Sequence, residues 1–311
     1  MKLVSWNCKK GLNSKDKSKK LFELIPDIAI IQESFHPKEF NDDIQYEDAV
    51  WVGEEKDKGL GLCVLSLSKD YHLSLLVDKV KHEWIVPIKV SGKENFTLIA
   101  VWTKRMHGSS YGKVLFTALQ EYERLIQNGS VIIMGDFNLD KRVSSSYTGV
   151  GGYTKMMEIF ENYGLKSCYH SISREEYGSE SQATYYHYGK SDKPFHLDYC
   201  FVSQDILPRM NQFYIGTAKE FLPFSDHVPL VFEFTLSFNN IVEKSTAKKI
   251  VSKDSITQKS MVEETKFEKT IITPEILLQD YLLKIDGEFT TIEEIEEAVK
   301  YIKAQRIMRK L

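Results

Sequence analysis

Short apolar segments of strand length recur through residues 1 to 238, and they limit the fold more than any other feature of this chain. The clearest of them read KLVSW, DIAIIQE, GLGLCVLSL, WIVPIKV, FTLIAVW, VIIMG, HLDYCFVS and VPLVFEF. Several alternate apolar and polar residues, and others are apolar throughout, which is typical of strands buried on one or both faces. Many strands with few helices favour two packed sheets with helices outside over an alternating βα barrel.

Two segments between these strands have helical character. From Tyr111 to Gln127 the apolar residues keep helical spacing, and an Asn-Gly pair closes the segment. A second helix is expected over Lys17 to Leu24, because Pro26 follows and disfavours helical backbone in the residue before it.

The composition is that of an ordinary globular protein, with 42% hydrophobic residues among 311 and a net charge of -3. This balance does not indicate a strongly basic nucleic-acid module. No apolar window approaches the length of a membrane span, and the start MKLVSWNC lacks the apolar core of a signal peptide. The four cysteines have no CxxC spacing, which fits reduced thiols in apolar strands. We therefore expect a cytoplasmic protein without a membrane contact.

The composition changes after Phe238. Residues 239–272 are rich in Lys, Ser, Thr and Glu and read as a polar linker. Residues 273–311 are predicted to form a helical hairpin, because Thr273 precedes Pro274 at one helix start and TIEE forms a capping box at the next. So small a hairpin buries its apolar stripe poorly by itself. We expect it to mediate oligomerisation or to bind a protein partner.

Polar side chains stand at the ends of five predicted strands. The segment VIIMGDFNLD is apolar up to a Gly-Asp-Phe-Asn turn, and comparable clusters occur in VSWNC, PDIAIIQES, HLDYCFVS and FSDHVPL. Each cluster taken alone is explained by turn chemistry, because Asn and Asp hydrogen-bond their own backbone. Leu139 and Asp140 fit that explanation. Five acidic or amide-bearing clusters together predict a shared site at the strand ends.

A cation would be needed at such a site. Gathered in one place, the carboxylates of Glu33, Asp136, Asp198 and Asp226 would repel one another. Oxygen ligands with few histidines and no cysteine suit Mg²⁺, with Mn²⁺ as a possible substitute. A histidine such as His227 beside them suits phosphate chemistry, in which charge on the phosphate oxygens must be stabilised.

The motifs SWN, PDIAIIQES, GDFN, LDYCFVS and SDHVPL, in this order, resemble those of the endonuclease/exonuclease/phosphatase superfamily. This superfamily includes exonuclease III-like and DNase I-like enzymes, and the resemblance covers residues 1 to 236. It implies an α+β fold, a four-layered α/β/β/α sandwich of two packed mixed sheets with the site at one end of both. Residues 1–238 would form this catalytic domain.

The resemblance also implies roles for the metal and water ligands. Glu33 would be the principal Mg²⁺ ligand with Asn7 close by, and Asp226 would be a further metal or water contact. Asp136 would orient or deprotonate the attacking water. Asn138 would bind the phosphate. This division suits in-line hydrolysis by a positioned water.

Further phosphate contacts follow from the same resemblance. His227 would polarise a nonbridging phosphate oxygen, oriented by Asp198 through its other ring nitrogen. Many DNase I-like members carry a His at the end of the strand that here reads FTLIAVWTK, and this chain has Trp-Thr there. Exonuclease III-like members use a Tyr ahead of the next helix. Tyr111 matches that place and is the predicted contact, with His107 as the alternative.

The substrate is less constrained, because such a fold serves many phosphoesters. The segment KKGLNSKDKSKK has six lysines in twelve residues, and with Lys9 and Lys10 it could grip a nucleic-acid backbone or form a solvated helix face. Lys104 and Arg105 add charge at another strand end. Tyr185 lies in an aromatic segment that could stack on bases or merely pack.

We therefore predict a Mg²⁺-dependent nuclease with DNA as the favoured substrate. One alternative is a phosphatase or phosphodiesterase for a small-molecule or lipid-headgroup phosphoester. Another is a catalytically inactive binding protein on the same fold, which would be expected to lack at least one of the polar residues above, yet all are present. Specialised abasic-site repair is disfavoured, because the chain reads CKKGL where exonuclease III-like enzymes have an Asn-Gly turn.

Overall fold

The computed structural model describes residues 1–12, 14–53, 59–82, 84–105, 109–143 and 149–237. The predicted linker (239–272) and helical hairpin (273–311) lie outside the described residues, as does His107. The linker, the helical hairpin and the role of His107 therefore stay predictions.

The described part of the chain is built mainly from strands. They are β1 (Lys2–Asn7), β2 (Ile28–Ser34), β3 (Asp48–Gly53), β4 (Gly61–Ser66), β5 (Tyr71–Leu75), β6 (Ile85–Gly92), β7 (Phe96–Trp102), β8 (Val131–Asp136), β9 (Lys166–Ser167), β10 (Tyr185–Tyr186), β11 (Pro194–Phe195), β12 (Asp198–Val202), β13 (Met210–Ile215) and β14 (Leu230–Phe234). The helices are α1 (Lys15–Phe22), α2 (Tyr111–Glu121), α3 (Glu123–Gln127), α4 (Tyr153–Asn162), α5 (Cys168–Ser173) and α6 (Ala218–Phe221).

Most of the strands belong to two mixed sheets. The first sheet has the order β13-β14-β1-β2-β4-β3, the second has the order β5-β6-β7-β8-β12-β9, and β10 with β11 forms a separate hairpin. One central pair in each sheet is parallel, β1 with β2 and β7 with β8. The carboxyl ends of parallel neighbours meet at one edge of a sheet, so β1 and β2 present their last residues together.

The two sheets pack face to face, and helices cover their outer faces. Leu3 and Ile30 of the first sheet share a fully buried core with Leu98 and Met134 of the second. Side chains of α2 and α4 cover the outer face of the second sheet, and Leu21 of α1 packs on the outer face of the first. The predicted α+β sandwich of two packed mixed sheets is confirmed.

The predicted strands are all present, but the edges of both sheets were missed. β3, β5, β9 and β13 stand at the sheet edges. In β13 only Phe213 is buried, and β3 has no buried residue. β13 mixes polar and apolar residues and β9 has only two residues, so neither has the pattern of a central strand. β3 (DAVWVG) and β5 (YHLSL) do carry continuous or alternating apolar residues and were overlooked.

The prediction of one helix from Tyr111 to Gln127 was wrong in one respect, because α2 and α3 are separate. Tyr122 lies between them with φ -92 and ψ 7. Its ring is buried, and its hydroxyl donates to the Ile85 carbonyl of β6 at 3.2 Å. The other predicted helix, Lys17 to Leu24, is α1 and lies two residues earlier in the chain.

The four cysteines are buried and free, in agreement with the predicted reduced thiols. None of the helices in the described ranges has the length and apolarity that crossing a bilayer requires.

Candidate active site

Strand register brings the predicted polar residues of each sheet together. Asp198, the first residue of β12, pairs directly with Asp136, the last residue of β8. In the other sheet, Asn7 at the end of β1 pairs with Gln32 of β2, and Glu33 follows. The sequence clusters therefore meet because strands that are distant in the chain are neighbours in a sheet.

Asn7 links the two sheets. Its Nδ2 donates to Asp136 Oδ2 at 3.1 Å and to Glu33 Oε1 at 3.3 Å. Its Oδ1 accepts from the backbone N–H of Lys9 at 3.0 Å. The side chain is buried, and a buried amide is costly to leave unpaired. Asn7 thus fixes a carboxylate of one sheet relative to a carboxylate of the other.

His227 and Asp198 form a buried hydrogen-bonded pair. The imidazole Nδ1 lies 2.9 Å from Asp198 Oδ2, and Nε2 lies 3.9 Å from Asp136 Oδ2. The backbone N–H of Asp198 donates to Thr184 Oγ1 at 3.0 Å. Because the carboxylate occupies Nδ1, Nε2 is the ring nitrogen that can meet a ligand.

The segment before β14 is tied to β1, which fixes the imidazole. Ser225 Oγ donates to the Asn7 carbonyl at 2.6 Å and accepts from the backbone N–H of His227 at 3.2 Å. Trp6 Nε1 donates to the His227 carbonyl at 2.9 Å. No role was predicted for Ser225 or Trp6 from the sequence. Both stand inside quoted motifs, SDHVPL and SWN, and that is the only signal that could have found them.

The Gly-Asp-Phe-Asn turn is shaped around Asp136. Gly135 has a φ of +150°, and a Cβ there would lie 1.9 Å from the Val101 carbonyl oxygen, so glycine is required for β8 to approach β7. Asn138, at φ +49°, donates its backbone N–H to Asp136 Oδ1 at 2.9 Å and its Nδ2 to Oδ2 at 3.1 Å. Both carboxylate oxygens of Asp136 are therefore held by one neighbour.

Burial and charge set the ionisation of this cluster. Desolvation raises the pKa of Asp136 to about 7, with Asp198 adding to the rise and His227 opposing it. For His227, burial lowers the pKa, but the carboxylates of Asp198 and Asp136 outweigh it and raise the pKa to about 9. The imidazole is thus protonated at neutral pH, while Asp136 can gain or lose a proton there.

The oxygen donors of the site suit a hard divalent cation. Asp136, Asp198 and His227 offer ligand atoms within 4.8 Å of one another, but Asp198 is already hydrogen-bonded to the imidazole. Half-buried Glu33, at φ +54° beside a β-bulge, adds a carboxylate that Asn7 joins to Asp136. Mg²⁺ commonly takes one or two carboxylates and keeps its waters, so this donor set fits it.

Asp226 lies beside Lys9 at the rim of the site. The Lys9 ammonium is 3.0 Å from Asp226 Oδ2. The backbone carbonyl of Asp226 accepts from the Tyr186 N–H at 2.7 Å, which joins this segment to the β10–β11 hairpin. The predicted metal ligand and a predicted substrate-binding lysine are therefore partners of each other.

Most lysines of the KKGLNSKDKSKK segment have partners within the protein. Lys15 and Lys20 form ion pairs with acidic neighbours, and Lys17 donates to the backbone carbonyls of residues 8 and 9. Lys10 is exposed and forms no ion pair with any described residue. The segment therefore offers a nucleic-acid backbone fewer free charges than its composition indicates.

Arg105 lies beside Tyr111 at the start of α2, whereas Lys104 packs on two tryptophan rings. The Arg105 guanidinium lies 5.0 Å from the centroid of the Tyr111 ring. The Lys104 ammonium lies 4.0 Å from the ring centroids of both Trp84 and Trp102. Among the described residues the Tyr111 hydroxyl has no hydrogen-bond partner, so its contact with phosphate stays a prediction.

Tyr185 forms a wall beside the imidazole. Its ring centroid lies 4.6 Å from that of His227, and its hydroxyl is 3.0 Å from His187 Nδ1. The half-buried ring therefore presents an aromatic face at the site.

The same architecture occurs in solved structures of nucleases. The endonuclease domain of TRAS1, a telomere-specific non-LTR retrotransposon, is 15% identical with a TM-score of 0.54, over 76% of this chain and 98% of that one. The 3' phosphatase NExo from Neisseria, bound to a product DNA hairpin, is 18% identical with a TM-score of 0.56, over 76% and 99%. An AP endonuclease from Archaeoglobus fulgidus is 19% identical with a TM-score of 0.54, over 76% and 100%.

No protein-family model matches the chain, and no curated protein matches it in sequence. This chain has the fold of these nucleases and of this 3' phosphatase. The α+β sandwich that the five sequence motifs implied is thereby confirmed, whereas the role of each site residue stays a prediction.

Proposed function

We propose that this protein is a Mg²⁺-dependent phosphodiester hydrolase that cleaves DNA by in-line attack of an activated water. The observation that carries the proposal is the His227–Asp198 pair beside Asp136. It places an imidazole with a pKa of about 9 at 3.9 Å from a carboxylate with a pKa of about 7. Hydrolysis needs a group that takes a proton from water and a group that stabilises charge on the phosphate.

Asp136 is the group proposed to orient and deprotonate the water. Its two oxygens are held by Asn138 and Asn7, so its direction is set before a substrate arrives. Asn138 Nδ2 donates to Asp136 and also to the Thr103 carbonyl at 3.1 Å. We therefore assign Asn138 first to positioning Asp136. Its Nδ2 could donate to the phosphate only by giving up one of these two hydrogen bonds.

His227 is the group proposed to stabilise the phosphate. Its Nδ1–H faces Asp198, which leaves the Nε2–H to donate to a nonbridging phosphate oxygen. Asp198 keeps the ring oriented and favours the imidazolium form.

Glu33 and Asn7 are the residues proposed to hold Mg²⁺. Bound there, Mg²⁺ would act as a Lewis acid on a phosphoryl oxygen and offset the negative charge of the site. Without a cation, Asn7 Nδ2 is the group that joins the Glu33 and Asp136 carboxylates.

Support for a nucleic-acid substrate comes from the aromatic hairpin and from the fold. Tyr185 stands against His227, and Tyr188 on the same hairpin is 74% exposed. Aromatic faces of this kind stack on bases with little sequence preference. Structures with this fold include two endonucleases and a phosphatase bound to a DNA hairpin.

A second candidate is hydrolysis of a phosphomonoester or another small phosphoester. It is supported by the likeness to NExo, which is described as a 3' phosphatase. The same Asp136, His227 and metal ligands would serve this reaction, because attack on phosphorus is common to both. The two candidate functions differ in the size of the substrate that must fit beside Tyr185.

The test is cleavage of supercoiled plasmid, single-stranded DNA and RNA with Mg²⁺ or Mn²⁺. Wild type should cleave DNA, while EDTA-treated protein and Asp136→Asn should not. Asp42→Asn, the same chemical change at an exposed position, is the matched control and should retain activity. Cleavage by Asp136→Asn at the wild-type rate would contradict the mechanism.

Failure of folded wild type to cleave any polymer would contradict the nuclease proposal. Release of phosphate from a 3'-phosphorylated oligonucleotide or a small phosphoester would then support the second candidate. Binding of DNA without any hydrolysis would support a catalytically inactive protein on this fold.

A further inference from the structure

One cation of the site is supplied by the protein itself. The Lys9 ammonium lies 3.0 Å from Asp226 Oδ2, with the two side chains 50% and 18% exposed. Asp226 is near enough to His227 and Lys17 to influence their charges. The Lys9–Asp226 pair therefore stands beside the proposed catalytic groups and faces solvent at the rim.

The backbone around Lys9 is held in an unusual conformation that directs its side chain. Lys9, Lys10 and Gly11 have φ values of +46°, +69° and +75°. Left-handed backbone is unfavourable for residues with a side chain, so two lysines there require support from their surroundings.

That support comes from both sides of the turn. The backbone N–H of Lys9 donates to Asn7 Oδ1 at 3.0 Å. The Lys17 ammonium donates to the carbonyls of Cys8 and Lys9 at 2.6 and 2.7 Å. A residue proposed to bind metal and a lysine of α1 thus fix where the Lys9 ammonium can lie.

The role of the Lys9 ammonium follows from a comparison of the carboxylates of the site with its cations. Four carboxylates belong to the cluster, those of Glu33, Asp136, Asp198 and Asp226. The imidazolium of His227 is paired with Asp198, and Lys9 is paired with Asp226. Glu33 and Asp136 are both hydrogen-bonded to the neutral amide of Asn7, so these two carboxylates are left, and their combined charge is that of one added divalent cation.

We propose that the Lys9 ammonium takes the place that a second divalent cation would occupy, so that the site binds one divalent cation, at Glu33. Two-metal phosphoesterase sites place both ions on shared carboxylate ligands, and here an ammonium already neutralises Asp226. This inference rests on the proposed metal-dependent function. It replaces the expectation that Asp226 is a metal ligand.

The experiment is a Mn²⁺ titration of the full chain without nucleic acid, followed by electron paramagnetic resonance of free Mn²⁺ and by calorimetry. Wild type should bind one Mn²⁺. Lys9→Gln should bind a second Mn²⁺, and Lys9→Arg should bind one because the positive charge is kept. Lys19→Gln, which removes an exposed lysine of α1, is the matched control and should bind one.

Glu33→Gln locates the bound ion and should weaken Mn²⁺ binding about ten-fold or more. Circular dichroism and thermal unfolding of each variant establish that it is folded. Two Mn²⁺ ions in wild type, or a single ion in folded Lys9→Gln, would overturn the inference and leave the proposed function standing. No bound Mn²⁺ in wild type would overturn the metal-dependent function together with the inference.

Discussion

His227 and Asp198 lie at the ends of strands from different sheets, yet their side chains meet at 2.9 Å in the buried centre of the site. Asp198 begins β12 of the second sheet, and His227 precedes β14 of the first. The contact therefore requires both sheets to be packed.

Replacement of Asp198 by Asn tests this relationship. The amide cannot stabilise the imidazolium or hold the same tautomer, so we expect kcat to fall about 10²-fold or more with little change in KM. Steady-state kinetics on DNA with Mg²⁺ would measure both constants. A variant in which KM rises and kcat is kept would show that Asp198 serves binding instead.

The pH dependence of kcat should reflect the raised pKa of His227. Its folded pKa of about 9 lies above the ordinary value of 6.5, so the protonated form is complete at low pH and is lost as pH rises through about 9. We expect activity to fall on that alkaline side. In Asp198→Asn the fall should begin at lower pH, and an unchanged alkaline limb would argue against His227 as the donor.

Glu180 should make the protein sensitive to acid. Burial alone would raise its pKa, but hydrogen bonds from His170, Tyr153 and the Gly178 N–H outweigh burial and lower it to about 2. The resulting stability is present above the unfolded pKa of about 4.5 and is lost as pH falls toward 2. We expect Glu180→Gln to lower the free energy of unfolding by about 1–2 kcal/mol at pH 7 and to flatten its acid dependence.

Urea unfolding at pH 7, 5 and 3 would measure the effect of Glu180. Glu176→Gln is the matched control, since that side chain is exposed nearby, and its stability should follow wild type at each pH. Equal acid dependence in Glu180→Gln and wild type would contradict the assignment.

Asn7→Asp tests the link between the sheets. An isosteric carboxylate would replace a donor that bonds both Glu33 and Asp136, so repulsion should lower the free energy of unfolding by about 1–3 kcal/mol without metal. Mg²⁺ should restore part of this loss, because a cation offsets the added charge. Thermal unfolding with EDTA and with Mg²⁺ would show whether Mg²⁺ reduces the difference in stability between the variant and wild type.

Tyr185→Ala tests the aromatic wall. Loss of a stacking surface should weaken polynucleotide binding by about 1–3 kcal/mol and appear mainly in KM, while Tyr185→Phe should retain it. Hydrolysis of bis(p-nitrophenyl) phosphate, which has no base to stack, should change little in either variant. An equal loss on both substrates would assign Tyr185 to holding His227 in place.

The sequence by itself determined the central strands and the polar residues at their ends. Segments such as VIIMG are identifiable because strands buried on both faces need continuous apolar residues. The turn that carries Asp136 and Asn138 was predicted from the abrupt end of the apolar segment VIIMG. The edge strand β13 could not be found in the same way, because its sequence mixes polar and apolar residues, whereas the apolar stretch AVWV of β3 was overlooked.

Only the tertiary structure decided which of these polar residues touch. Asn7 reaches Asp136 across 129 positions, and Lys9 reaches Asp226 across 217. The sequence placed each group at a strand end, but the partner depends on sheet order, register and the packing of one sheet on the other. Those are set by the burial of the whole apolar core, so local residue patterns do not contain them.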